Sequence, residues 1–220
     1  MAAKSKDLKL DWAGAAFPAE GLGPGRRVVA WVRGCGLRCP GCMTPELWAA
    51  SGRPVPVADA AREVLALLPG ADGLTISGGE PFDQSAAVAA LVRTVRRAGP
   101  VEVLVYSGYD REEIAGSSSA SADLLSEIDL LVAGRFVAEQ PNLLPWRGSD
   151  NQVVHFLSPR AERHRREAET PRTGPPRLSV QMLGSGSFRV IGIPARGDLA
   201  KAVTALAARG VPVRRGDAGL

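Results

Sequence analysis

Three thiols could do chemistry in this 220-residue chain: Cys35, Cys39 and Cys42, its only cysteines. They crowd into Arg33-Gly-Cys-Gly-Leu-Arg-Cys-Pro-Gly-Cys-Met43. Gly34, Gly36, Pro40 and Gly41 around them predict a loop that can turn three sulfurs toward one point. Converging thiolates bind metal. A closed zinc site needs four ligands, and the nearest histidine, His155, is remote in the chain. An iron–sulfur cubane ordinarily takes four cysteines, so three would leave one iron without a protein ligand, open to a substrate or cofactor. A zinc site and a redox or disulfide pair stand as alternatives.

The thiol loop follows residues 27–32 (Arg-Val-Val-Ala-Trp-Val), a β-branched and aromatic run read as the first strand after a lead-in strand and loop over 1–25. Residues 58–68 have apolar side chains at helical spacing. Residues 73–81 (Gly-Leu-Thr-Ile-Ser-Gly-Gly-Glu-Pro) read as a second strand ending in a glycine turn. A helix is expected over 85–98, with Ser85 as its N-cap and Gly99 as its stop. Residues 101–106 form a third strand ending at Ser107-Gly-Tyr-Asp110. A polar loop over 116–122 and a short helix over 122–127 lead to a fourth strand at 128–133. Strands alternating with helices predict an α/β fold of parallel βαβ units, with the chemistry beyond the C-terminal ends of the strands.

The character changes after Leu157. Residues 158–176 hold Arg160, Arg163, Arg165 and Arg166, then Pro171, Pro175 and Pro176, and read as a basic linker. Two strand-like runs around Gly184-Ser-Gly186 predict a hairpin, followed by a helix opening at Asp198 and ending at Gly210. The expected organisation is a core over 1–157, a linker over 158–176, and a hairpin and helix over 177–220. Their apolar residues, Val180, Met182, Val190, Ile191 and Val203 among them, are expected to pack on the core.

A second candidate feature is Ser77-Gly78-Gly79-Glu80-Pro81, where glycines let backbone approach a ligand closely. Ser107 and Tyr109 follow the third strand at the same end and could line a pocket. The two histidines, His155 and His164, read as structural, so no catalytic residue is expected beyond a metal cluster.

At 45% hydrophobic the chain can bury one good core. No apolar run is long enough for a membrane span, and the N-terminus shows no secretory signal. Clustered thiols fit a reducing, cytoplasmic setting. Residues 159–220 carry 12 Lys and Arg against 5 Asp and Glu, while residues 1–158 carry 15 against 18. The basic tail is either a solvated surface or an electrostatic partner site.

The C-x3-C-x2-C spacing, with the glycine turn some forty residues on, resembles the radical S-adenosylmethionine (SAM) superfamily. The resemblance implies a [4Fe–4S] cluster on Cys35, Cys39 and Cys42, with SAM chelating the fourth iron and cleaved to a 5′-deoxyadenosyl radical. It implies that the turn from Ser77 to Pro81 positions SAM, with Ser107 and Tyr109 beside the adenosine. It also implies a partial (β/α) barrel. Two further segments, Leu131-Val-Ala-Gly-Arg-Phe-Val137 and Pro145-Trp-Arg-Gly-Ser-Asp-Asn-Gln-Val-Val-His155, are similar to the anaerobic ribonucleotide reductase activating proteins. These imply a glycyl radical enzyme as partner and a flavodoxin or ferredoxin-type reductant. The chain departs from that family at Met43-Thr44 and in running more than sixty residues past Leu157. Two other readings are a stand-alone radical SAM enzyme acting on a small molecule or peptide, and a metal-binding interaction module whose basic tail docks nucleic acid or an acidic partner.

Overall fold

Residues 28–32 are apolar at every position, which suits a strand covered on both faces. In the computed structural model, which describes residues 8–183, 188–195 and 197–210, they form β3 (Arg27–Val32), buried throughout. β3, β5 (Gly73–Gly78), β6 (Val103–Ser107) and β7 (Leu130–Ala133) pair in parallel. β2 (Trp12–Ala19) and β8 (Val153–Phe156) close the two edges antiparallel, giving the order β2-β3-β5-β6-β7-β8. The fold is thus α/β with a mixed sheet. The alternation of strands and helices predicts the parallel centre. The antiparallel edges follow from the connections into β3 and β8, which no crossover helix occupies. The two-residue strands β1 (Lys9–Leu10) and β4 (Val55–Pro56) pair with each other outside this sheet.

Alternation along the strands sorts side chains between two faces. Val28, Ala30 and Val32 join Val64 of α1 (Val57–Leu67) and Leu91 of α2 (Ser85–Ala98), so the helices cover this face. On the other face Val29 and Trp31 pack with Leu22 and Leu47, and Leu104 and Val132 pack with Trp146.

The expected polar loop over 116–122 is helical instead. α3 (Arg111–Ser117) starts in a reciprocal cap between Asp110 and Glu113, and α4 (Ser119–Ser126) starts where the Ser118 hydroxyl accepts from the Ser121 amide at 3.1 Å. Its serines therefore cap helices rather than loosen a loop. Ser85 is not a cap: it is the first residue of α2, and its hydroxyl donates to the Phe82 carbonyl at 2.6 Å.

The stretch expected as a linker is packed over its first half. A turn at Glu162–His164 and α5 (Arg165–Glu169) bury Ala161 and Ala168 completely against Trp146 and Val132. The arginines that suggest a linker lie on the outside of this turn, while the two small alanines make the contact. The hairpin forms as expected from β9 (Leu178–Met182) and β10 (Phe188–Gly192), although its glycine turn at 184–186 lies outside the described residues. It is held to the core through one face. Ser179 Oγ accepts from the Glu20 amide at 3.0 Å, Gln181 Nε2 donates to the Phe17 carbonyl at 2.9 Å, and Ile191 is buried beside Trp31. The apolar packing expected of the rest is absent: Val180, Met182, Phe188 and Val190 are exposed on the opposite face. α6 (Asp198–Ala207) buries none of its residues.

Arg27 enters the sheet at the end opposite the cysteines and is wholly buried. Its guanidinium donates to Thr75 Oγ1 (2.7 Å), the Leu74 carbonyl (2.8 Å), the Glu102 carbonyl (2.9 Å), the Pro24 carbonyl and Glu102 Oε1 (both 3.2 Å). All five N–H groups are thereby used, the condition under which a buried guanidinium is tolerated. The other carboxylate oxygen of Glu102 receives Arg163 at 3.0 Å and His164 at 3.1 Å, so the same pair ties the 158–170 segment to the sheet. Arg27→Met leaves Glu102 buried without its main partner, and it should destabilise the protein by about 3–5 kcal/mol. Urea unfolding checks this, the expected result being a lowered midpoint with an unchanged slope.

Candidate metal centre

β3 and β5 pair with Val32 opposite Gly78, so the segments that follow them emerge side by side. From β3 comes the cysteine loop, and from β5 comes Gly78-Gly79-Glu80. Hydrogen bonds lock the two together. The Gly79 amide donates to the Val32 carbonyl (2.7 Å), the Glu80 amide to the Gly34 carbonyl (2.8 Å), and the Thr44 hydroxyl to the Gly78 carbonyl (3.3 Å). On the far side the Gly34 and Cys35 amides donate to the Leu47 and Trp48 carbonyls at 2.9 and 3.0 Å, closing the loop's base. Gly78 has φ +110°, and a Cβ there would overlap the Val32 backbone; a Cβ on Gly79 would overlap the Gly34 carbonyl. The close approach these glycines permit is therefore first of all to the chain's own loop.

Cys35, Cys39 and Cys42 are half-buried and line one cavity of about 320 Å³. Ser77, Gly78, Gly79, Glu80 and Ser107 line it too. Pro81 and Tyr109 do not. Pro81 is buried at the start of the turn Pro81–Gln84, and the Tyr109 hydroxyl donates to Asp83 Oδ1 at 3.0 Å. Partial burial, and then that carboxylate, push the Tyr109 phenol up to about 12. Burial also pushes the Cys35 thiol up, with Glu80 and Asp83 adding to it. A metal taking this sulfur must displace the proton.

Among the described residues no three His, Cys, Asp or Glu side chains are close enough to share a single metal ion. A cubane takes each thiolate on a different iron, so three sulfurs set around a cavity suit a cluster better than one ion. The donor set thus fits an iron–sulfur cluster. Trp48 is a second sign of fit. It lines the cavity, and its buried indole N–H has no partner among the described residues.

Glu80 is the polar pivot of the site. It is 1% exposed; its Oε1 accepts from the Phe82 amide (2.9 Å) and the Ser107 hydroxyl (2.9 Å), and its Oε2 from the Gly108 amide (2.8 Å). This carboxyl joins the turn after β5 to the turn after β6. Burial raises its pKa to about 7, against the pull of those three donors.

Sequence reasoning left the segments after β7 outside the candidate site residues, yet Gly134, Phe136, Gly148 and Gln152 line the cavity. Gln152 is a clamp: its Oε1 accepts from the Gly148 amide at 2.7 Å while its Nε2 donates to the Gly134 carbonyl at 2.9 Å. The signal was present in the Gly-Arg-Phe and Trp-Arg-Gly-Ser strings. Arg189 and Ile191 of the hairpin also line the cavity, with Arg189 stacked 5.2 Å over Trp31. Neither His155, on β8, nor His164 is in its lining.

Gly79→Ala should disturb the cysteine loop itself, so that anaerobic reconstitution yields much less iron and sulfide per chain as well as weaker ligand binding; iron and sulfide analysis checks this. Glu80 gives a pH signature. Its folded pKa, about 7, lies above the ordinary value of 4.5, so its stability contribution is present at low pH and is lost as pH rises through about 7. The stability advantage of wild type over Glu80→Gln should therefore be largest near pH 5 and shrink by up to about 3 kcal/mol by pH 8, measured by urea unfolding at intervals between.

The family model of the 4Fe-4S single cluster domain matches residues 22–155. The anaerobic ribonucleoside-triphosphate reductase-activating protein of Vibrio cholerae is 36% identical over 141 residues, covering 60% of this chain and 89% of that protein. Its counterpart from Escherichia coli K12 is 35% identical over 144 residues, covering 61% and 91%. The pyruvate formate-lyase-activating enzyme of Clostridium pasteurianum is 32% identical over 92 residues, covering 40% and 39%. Among solved structures, QueE from Escherichia coli superimposes with a TM-score of 0.39 at 15% identity over 49% of this chain and 57% of that one, a likeness too loose to argue from. With a three-thiol loop locked to a glycine turn over one cavity, and with these matches across it, the chain belongs to the 4Fe-4S single cluster domain family and, within it, to the anaerobic ribonucleoside-triphosphate reductase-activating proteins.

Proposed function

We propose that this chain reductively cleaves S-adenosylmethionine at a [4Fe–4S] cluster held by Cys35, Cys39 and Cys42, and uses the product to activate an anaerobic ribonucleotide reductase of the glycyl radical type. The observation that carries the proposal is the locked pair of segments after β3 and β5, which brings three thiols and a glycine turn to one cavity. When bound, such a cluster supplies one electron to the sulfonium and leaves one iron free for the amino acid end of SAM.

The chain's own residues have distinct tasks. The amides of Gly79 and Glu80 are already committed to Val32 and Gly34, so this turn offers carbonyls rather than N–H groups. The Gly79 carbonyl, with no partner among the described residues, is the acceptor for the amino group of SAM. Ser77, Ser107 and Glu80 border the same space, Glu80 also bracing the turns through Ser107 and Gly108; Pro81 and Tyr109 act from behind it, Tyr109 tied to Asp83. Trp31, Leu47, Phe136 and Ile191 supply apolar walls that keep water from a reactive carbon. The sheet is proposed as the partial (β/α) barrel of this chemistry. Residues 1–157 form its core unit, 158–176 the connection and 177–220 the added unit. A flavodoxin or ferredoxin-type reductant and a cytoplasmic setting complete the reading; no helix among the described residues is long and apolar enough to cross a membrane.

The test is anaerobic reconstitution with iron and sulfide, followed by SAM and dithionite. The expected result is about one [4Fe–4S] cluster per chain and formation of 5′-deoxyadenosine, both lost in Cys39→Ala. Stoichiometric zinc without sulfide would sink the proposal. Adding an anaerobic ribonucleotide reductase should then give a glycyl radical signal by electron paramagnetic resonance. If 5′-deoxyadenosine forms but no reductase is activated, the stand-alone enzyme replaces this assignment.

A further inference from the structure

A second cavity, of about 630 Å³, opens where the glycine-rich connection between β2 and β3 meets the segment after β8. Gly21, Gly23 and Gly25 form one wall and Trp146 another. Arg163, Arg166, Arg172 and Arg177 line the rest, against one acid, Glu167. All four arginines lie beyond residue 155, where the family match ends, so the additional segment creates the site.

The four guanidiniums are not equally free. Arg163 is held by Glu102, and Arg172 spends its Nε on the Leu143 carbonyl at 3.2 Å. The side chains of Arg166 and Arg177 have no hydrogen-bond or ion-pair partner among the described residues. Surface arginines are commonly solvated singly. Here four, all between residues 163 and 177, line a single concavity with one carboxylate among them. Such a field is self-repelling until an anion fills it. Guanidinium forks match phosphate oxygens two at a time, so two wholly free forks and part of a third exceed what one phosphate group uses well. The volume lies within the range of small-molecule pockets, about 300–1,000 Å³, and leaves room beyond the phosphates beside Trp146 and Pro145.

We infer that this cavity binds a linear polyphosphate group, carried by a nucleoside di- or triphosphate or free in solution, at a site separate from the cysteine cavity. The inference does not depend on the proposed activity, because the two cavities share only Ile193 in their linings. An acidic peptide of a partner is the rival occupant. A half-open concavity with one wall of backbone glycines, and guanidiniums on the others, favours the compact ligand over an extended chain.

The test is calorimetric titration of the full-length protein with ATP, inorganic tripolyphosphate, inorganic phosphate and a deca-glutamate peptide, each up to about 1 mM. ATP and tripolyphosphate should bind, inorganic phosphate at least roughly tenfold more weakly. Tighter binding of ATP than of tripolyphosphate assigns the site to nucleotides, and equal binding assigns it to the polyphosphate alone; both uphold the inference. Arg166→Glu with Arg177→Glu should weaken ATP at least roughly tenfold, and the two Lys replacements should fall between that variant and wild type. Both positions are exposed, and Arg177→Gln alone serves as a milder second variant should the double one fold poorly. SAM should not displace bound ATP. The inference is overturned by any of four results: no binding of ATP or tripolyphosphate; phosphate binding as tightly as tripolyphosphate; unchanged ATP affinity in the Glu and Gln variants; or binding of the peptide alone. Displacement by SAM would move the ligand to the cysteine cavity and overturn it equally.

Discussion

The parallel pairing of β3 with β5 is the constraint on which the site depends. Because Val32 stands opposite Gly78, the chain leaves both strands at the same level, and the cysteine loop and the glycine turn need no long excursion to meet. A slip of one residue would turn Trp31 and Val32 to the wrong faces and misplace the loop base relative to the turn. The contact between loop and turn is so close that only glycine fits at 78 and 79. The thiols' position is thus set by backbone geometry before any metal arrives, and flexible side chains have little part in it.

Glu80 extends that lock to the next strand. A buried carboxyl costs free energy unless its oxygens are met, and here a hydroxyl and two amides meet them across two successive turns. Its raised pKa shows that burial still outweighs those bonds. The arrangement leaves Glu80 as a brace and not as a donor to ligand. Gln152 repeats the device one strand further on, with an uncharged amide clamping the segments after β7. Successive turns at this end of the sheet are therefore joined by side chains that spend their polar atoms on backbone.

Much of this was legible in the sequence, and the failures have physical causes. The cysteine spacing and the glycine turn are local signals, and strands β3 and β5 are apolar enough to be read directly. The role of Glu80 was not legible as a brace, because its partners Ser107 and Gly108 lie on another strand's turn. Ser118 and Ser121 read as loop because a serine favours caps and turns alike, and the neighbouring helix, through the bond between the Ser121 and Ser85 hydroxyls, lies outside the local sequence. Residues 158–169 read as linker because their arginines dominate the composition, whereas the contact is made by Ala161 and Ala168, whose burial no charge count reveals. Composition reports what faces water; two small residues at the right spacing report what does not.

The two ends of the sheet divide the work. At the C-terminal ends of the strands, backbone bonds and glycines hold the reactive loop in place. At the other end the structure accepts a buried Arg27 and Glu102, fully bonded, and uses the remaining carboxylate oxygen to recruit Arg163 and His164 from the added segment. That carboxylate is one of several ties that make the segment beyond residue 157 part of the folded body: Ser158 Oγ donates to Asp129 Oδ1 at 2.6 Å, and Ala161 and Ala168 are buried. The hairpin then returns along β2 to place Arg189 and Ile191 over Trp31, at the wall of the cysteine cavity. The segment added after β8 therefore supplies part of the wall that the thiols face, held there by the hairpin's own bonds to Phe17 of β2 and to Glu20.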